Sequence, residues 1–335
     1  MKISRLFLSL AAAAALLGAL GPQSARADDV LYIGDGGDNT IKSFNATTGA
    51  FQAASDGPVI SGLAGPRGLV KSGGELLVVN QNVNLPIPGE VLRYSAATGA
   101  FLGALISATD KDAPFAPDGL VLGLDDDLFI GNVTTANGRS HGELVRYSSD
   151  GTFLSASRAK GFQNKDFHVR GVVVGPDDLL YVSVRSLKTG LGGAVLRFNA
   201  DGSFLDVFVE DDGGFGRLNR PDGLVFESDG CLYVTSFRAA PGDTDSIRIY
   251  NPAGGFVSKI DLHNGTTDPR VFAQSLLFGP SGKLFVPLNN TGEVRSYNSP
   301  TTGDYGVFVA PGGPLLGPVY MTFGQTDPST LSYVE

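Results

Sequence analysis

A short strand ending in an aromatic residue recurs six times along this chain. It reads IKSF at 41–44, VLRY at 91–94, LVRY at 144–147, VLRF at 195–198, IRIY at 247–250 and VRSY at 294–297. Each copy is followed by a turn and a Gly-x-aromatic opening: Gly49/Phe51, Gly99/Phe101, Gly151/Phe153, Gly202/Phe204, Gly254/Phe256 and Gly303/Tyr305. These glycines are 50, 52, 51, 52 and 49 residues apart. Ahead of the motif lie two alternating apolar strands joined by a tight turn, as in RPDGLVFESDGCLYVTS (220–236) and APDGLVLGLDDDLFIGN (116–132), and more loosely in FAQSLLFGPSGKLFVPL (272–288). A period near 50 residues holding four strands cannot bury both faces of one sheet, whereas radial stacking lets each sheet cover its neighbour. The reading is all-β: a six-bladed β-propeller of four-stranded antiparallel blades.

The repeated rings are expected to fill the wedges between blades. Twelve of them, at about 2 kcal/mol each, would contribute on the order of 20 kcal/mol before entropy is subtracted. Residues 30–55 supply the second, third and fourth strands of a blade but no first strand, and PVYMTFG (318–324) aligns with the first strand of the others. Pairing the two ends in one blade removes the exposed sheet edges. The tail TLSYVE (330–335) competes with Val30 to Asp35 for the second position, and the sequence leaves that choice open.

The first 27 residues have the form of a secretory leader. Lys2 and Arg5 precede an apolar run from Leu6 to Leu20, and Ala25-Arg26-Ala27 supplies the small-x-small cleavage pattern. The run is about 15 residues, short of the ~20 a spanning helix needs. The expected organisation is therefore a signal peptide, 1–27, and one propeller domain, 28–335, exported to a periplasm or the extracellular space, with no membrane insertion after cleavage. Of the 25 basic side chains, Lys2, Arg5 and Arg26 lie in the leader, which leaves 22 against 34 acidic ones. Such a surface repels nucleic acid and anionic membrane. The single cysteine, Cys231, cannot form an internal disulfide, so stability must come from the core, and a monomer is expected.

The unit PDGLVFxxDGxLYVTS…IRxYNxxGxF resembles the NHL-repeat propellers, a broad group similar to the gluconolactonase and senescence-marker propellers and to virginiamycin B lyase. The resemblance spans essentially all of 28–335 and implies a six-bladed ring. Gluconolactonase-type propellers hold a metal with a Glu, an Asn or Asp before the inner-strand Gly, and an Asp ending a second strand. Asp118 and Asp222 match the position before Gly, whereas Ser236 stands where the strand-end acid falls in that blade and no Glu starts an inner strand. The lyases of this group use histidines at the channel mouth, and His168, in FHVRG beside Arg170, is the nearest equivalent. The resemblance thus nominates His168 and Arg170 as catalytic.

Strand order places the short, uniform turns on one face of the disc and the long, irregular loops on the other, where binding on a rigid scaffold usually resides. Two rings of residues are expected at that mouth. The starts of the inner strands give Arg67, Asp118, Arg170, Asp222, Gln274 and Val319; the ends of the second strands give Asp35, Asn80, Asn132, Val184, Ser236 and Leu288. Ligand contacts are expected from Arg67, Asn80, Asp118, Asn132, Asp222 and Gln274. The alternating Arg and Asp admit two readings. One is a structural ion-pair belt, Arg67 with Asp118 and Arg170 with Asp222, because an isolated buried charge is costly. The other is an oxygen-rich site in which Asp35, Asp118 and Asp222, with Asn80 and Asn132, hold a hard divalent cation such as calcium.

His141 and His263 fall on the long-loop face without ligand spacing, and Cys231 falls on the opposite one. No Ser-x-Gly elbow, HExxH or P-loop occurs. The functions consistent with the sequence are a binding module for a small molecule, glycan or protein, and a metal-assisted hydrolase or lyase acting at the channel mouth.

Overall fold

The computed structural model describes residues 29–53, 57–133, 142–159, 167–186, 192–210, 218–238, 242–263, 268–298 and 303–335. The leader and its cleavage site, and His141, lie outside the described residues. Six antiparallel sheets form the ring. The second blade runs Pro66–Ser72, Glu75–Asn80, Glu90–Ser95, Phe101–Ile106 from the channel outward. The third is Pro117–Leu122, Leu128–Asn132, Glu143–Tyr147, Phe153–Ser157, and the fourth Phe167–Val174, Leu180–Ser186, Gly193–Phe198, Phe204–Val209. The fifth is Pro221–Phe226, Leu232–Ser236, Ser246–Tyr250, Phe256–Asp261, and the sixth Leu277–Phe278, Leu284–Leu288, Glu293–Tyr297, Tyr305–Val309.

The first blade closes the ring. Its inner strand is Pro318–Phe323, followed outward by Val30–Asp35, Thr40–Asn45 and Phe51–Gln52, with Val59–Ile60 also paired to the third. Leu31 pairs with Phe323 and Asp35 with Pro318. Val30–Asp35 therefore wins the second position. Residues 324–335 instead cross the short-turn face of the disc: the carbonyls of Pro328 and Ser329 accept from the N–H groups of Leu122 and Val174. Leu331 packs on the cores of several blades at once.

The twelve repeated rings do meet in six pairs, Phe44–Phe51, Tyr94–Phe101, Tyr147–Phe153, Phe198–Phe204, Tyr250–Phe256 and Tyr297–Tyr305, with centroids 5.4–6.0 Å apart. Only the first ring of each pair is buried. Phe51, Phe101, Phe153, Phe256 and Tyr305 are exposed, because the fourth strand is the outer edge and nothing stacks beyond it. The expected contribution of the aromatic layer is accordingly about half of the ~20 kcal/mol assigned to twelve buried rings.

Four inner strands carry glycine at the narrowest point of the ring. A Cβ on Gly68 would sit 2.6 Å from the carbonyl oxygen of Asp118, one on Gly119 2.5 Å from that of Arg170, and one on Gly171 2.5 Å from that of Asp222; on Gly223 it would meet the Ser275 backbone. Glycine is required here because neighbouring inner strands touch backbone to backbone. The channel that remains is a cavity of about 30 Å³, lined by these glycines, Tyr320, Met321 and Leu331. That is room for about one water.

Candidate functional site: the channel mouth

The residue before each of those glycines is aimed at the mouth by an irregularity in pairing. Register shifts occur between Pro66 and Leu69, between Pro221 and Leu224, between Val169 and Val172, and opposite Ile130 and Asn132. Such bulges bend a strand and redirect one side chain. In this way Arg67, Asp118, Arg170 and Asp222, from four consecutive blades, converge at one end of the channel.

A belt of ion pairs forms, with a register different from the one expected. Arg170 Nη1 donates to Asp118 Oδ2 at 2.5 Å. Asp222 is bonded not by Arg170 but by Arg185, from the second strand of the fourth blade. Arg67 forms no ion pair with Asp118; its Nη1 donates to the Pro66 carbonyl at 3.1 Å. Both carboxylates, on the third and fifth blades, are thus served by arginines of the fourth blade, which lies between them. Arg185 was hidden from sequence reasoning because it lies beyond the second-strand end as drawn there; the strand runs on to Ser186 and sets Arg185 opposite His168.

The second residue missed is Tyr320. It occupies in the first blade the position that is glycine in four others. The space those glycines leave admits one large side chain, and its hydroxyl reaches across to donate to Asp222 Oδ1 at 3.2 Å. The break in the glycine pattern was the available signal. Burial, then the charges of Asp118 and Asp222, hold the Tyr320 hydroxyl protonated far above the ordinary phenol range. Burial also pushes the Asp222 carboxyl up; Arg185 and Arg170 oppose that shift and Asp118 adds to it. Two polar atoms of the belt, Asp118 Oδ1 and Arg170 Nε, are buried without a hydrogen-bond partner.

The ends of the second strands do another job. Asn80 Oδ1 accepts from the N–H of Ala64 at 2.7 Å, Asn132 Oδ1 from Ala116 at 3.0 Å, and Ser236 Oγ from Asn219 at 3.0 Å. Asp35 accepts from Leu316 and Gly317, and from Gly37 and Lys42 Nζ as well. All four pair across the ladder with a proline, Pro66, Pro117, Pro221 or Pro318. Proline offers no N–H to the ladder, and the side chain opposite fastens the incoming segment by an N–H one or two residues earlier. Asn80 and Asn132 also donate to Glu90 and Glu143. Asp35, Asn80 and Asn132 therefore clamp the incoming segments to the blade. Burial pushes the Asp35 carboxyl up, but the bonds from Lys42, Leu316 and Gly37 outweigh it and hold it below the usual range.

A divalent cation does not fit the expected set. Among the described residues, no three His, Cys, Asp or Glu side chains stand together as a metal site. Asp35 is committed to four donors, and Asp118 and Asp222 face guanidinium groups that would repel a cation.

His168 is half-buried on the same face as Arg170. Burial, then the charges of Arg170 and Arg185, depress its pKa to about 4 against a weaker pull from Asp118, so it is neutral at physiological pH. Gln274 is partly exposed at the mouth, and Val319 is buried. His263 is buried and structural, its Nε2 accepting the Asp245 N–H at 2.8 Å. The Cys231 thiol, on the opposite face, is pushed up by burial and by its bond with Asp229, the reverse of an activated nucleophile.

No protein-family model matches the sequence, and neither does any curated protein. Solved structures do match. A catalytically inactive virginiamycin B lyase from Staphylococcus aureus, solved with quinupristin, is 13% identical, with a TM-score of 0.53 over 89% of this chain and 92% of that one. A gluconolactonase from Xanthomonas campestris is 16% identical, with a TM-score of 0.50 over 78% and 84%. A candidate gluconolactonase of structural-genomics origin is 15% identical, with a TM-score of 0.52 over 86% and 91%. At such identities what is shared is the fold, and the resemblance read from the repeats holds at that level: the chain is a six-bladed propeller similar to gluconolactonase and virginiamycin B lyase propellers.

Proposed function

We propose that this protein is an exported propeller that binds a small anionic molecule at the arginine-rich mouth of its channel. The observation that carries this reading is the charge balance there. Three guanidinium groups, Arg67, Arg170 and Arg185, stand with two carboxylates, Asp118 and Asp222, while Tyr320 and His168 are neutral. Arg67 has no ion-pair partner among the described residues, and a guanidinium matches a carboxylate in two-point geometry. Calorimetry with a panel of small carboxylates and their neutral amides tests it. Carboxylates bind, amides do not, and Arg67→Gln weakens the carboxylates at least about tenfold. Equal binding of acids and amides, or an Arg67→Gln protein with unchanged affinity, overturns the reading.

A second reading, a hydrolase or lyase, is favoured by His168. An imidazole kept unprotonated beside Arg170 can accept a proton from a substrate whose developing negative charge the arginine stabilises. On this reading His168→Asn abolishes turnover but leaves anion binding intact.

A further inference from the structure

Two large residues stand at the lip of the mouth in a conformation that glycine adopts freely and bulky residues avoid. Arg220 has φ of 45° and Phe272 of 51°. Each comes just before its blade's mouth residue, Asp222 or Gln274. At the corresponding place in the second blade, two residues before Arg67, the chain uses Gly65, with φ of 83°. The left-handed turn thus recurs in the links to the second, fifth and sixth blades, and glycine satisfies it without strain in the first of these. In the fifth and sixth blades a cation and a ring are held there instead. Strain of this kind persists where the side chain is needed.

The ring is continuous with the wall of the mouth. Arg185, bonded to Asp222, lies over the Phe237 ring at 4.8 Å. Phe237 meets Phe272 edge to face at 5.4 Å, and Arg270 covers Phe272 at 4.3 Å. Asp245 fixes Arg270 at 2.6 Å and accepts from the backbone N–H of Phe272. Phe237 is buried, Phe272 is partly exposed and Arg220 is exposed. Phe272 is thus the part of a rigid aromatic and guanidinium stack that reaches solvent, and it does so beside a cationic pocket. We propose that Arg220 and Phe272 form a specificity lip that selects, among small anions, those bearing a planar aromatic ring.

This inference rests on anion binding at the mouth, and the test separates the two. Benzoate and cyclohexanecarboxylate carry the same charge on rings of the same size, but only benzoate is planar and aromatic. In calorimetric titrations the wild-type protein is expected to bind benzoate about three- to tenfold more tightly, the range of one aromatic edge-to-face contact. Phe272→Gly, which keeps the backbone conformation, is expected to bring the two acids within twofold of each other while cyclohexanecarboxylate binding is unchanged. Arg220→Gly is expected to weaken both acids alike. Wild-type protein that binds both acids equally, or a Phe272→Gly protein that keeps the preference, overturns the lip and leaves the anion site standing. Binding of neither acid overturns the anion site itself. Phe272→Leu, with a melting curve alongside, guards against a glycine variant that misfolds.

Discussion

The two ends of the channel are built on opposite principles. At the mouth, Arg67, Asp118, Arg170, Arg185, Asp222 and Tyr320 crowd charge into a buried ring, and two of its polar atoms lack partners. At the floor, residues 324–335 meet the blade ends through backbone hydrogen bonds, Asp327 caps the N–H groups of Ser329 and Thr330, and an apolar side chain, Leu331, fills the centre. Buried ion pairs contribute little net stability against desolvation, whereas satisfied backbone bonds and packed leucine contribute reliably. The floor holds the ring together, and the mouth is where the fold tolerates strain.

If that contrast is right, the largest effect should come from the floor. Removing residues 325–335 uncovers the cores under Leu331 and strips its hydrogen bonds, for an expected loss of about 5 kcal/mol or more, seen as a lower urea midpoint and aggregation. A truncated protein with unchanged unfolding would mean that the tail is only draped on the disc.

Next comes the belt. Asp222→Asn leaves Arg185 buried without its counter-charge and should cost about 3–5 kcal/mol. Calcium should shift the melting of neither protein, since ligand bound only by the folded state would raise it by mass action. A calcium-dependent rise in wild type that Asp222→Asn removes would restore a metal reading.

A smaller effect sharpens the contrast by pH. His168 is depressed in the folded state to about 4 from an ordinary value near 6.5, so the unfolded chain takes up its proton first as pH falls. Stability should be full above about 6.5 and decline toward about 4, and His168→Gln should flatten that part of the melting-versus-pH curve. An unchanged curve would place the acid sensitivity elsewhere. The smallest expected change is a gain: Arg220→Gly relieves a left-handed arginine and should stabilise by about 0.5–1 kcal/mol in denaturant titration. A loss would show that the arginine is anchored at the lip by contacts beyond its own backbone.

The blades were legible because their period, turn glycines and strand-end aromatics are local, and local patterns repeat when the same packing problem is solved six times. The convergence of Arg67, Asp118, Arg170 and Asp222 followed from strand order alone. Their pairing did not, since which arginine each carboxylate reaches depends on how neighbouring blades sit side by side, and a second-strand arginine, Arg185, takes Asp222. Asn80, Asn132 and Asp35 look like ligands by residue type, and their service to proline-opened ladders appears only once the register is known. Tyr320 was visible as a departure from the repeat, which pattern matching treats as noise and a binding site treats as content; Arg185 lay past the strand end that the repeat marks.

The closing blade also governs when this protein can fold. Asp35 accepts the N–H of Gly317 across 282 positions of chain. Contacts of such separation bear the full entropy of closing the loop before any pairing compensates it, so they form late and slow the whole transition. A growing chain that has not yet reached residue 318 presents Val30–Asp35 as an open edge on one side and the sixth blade on the other. The five other blades can assemble in order behind it, but the first stays a three-stranded fragment. Completion is therefore a single terminal event, and a chain interrupted before it carries two adhesive edges rather than a smaller working ring.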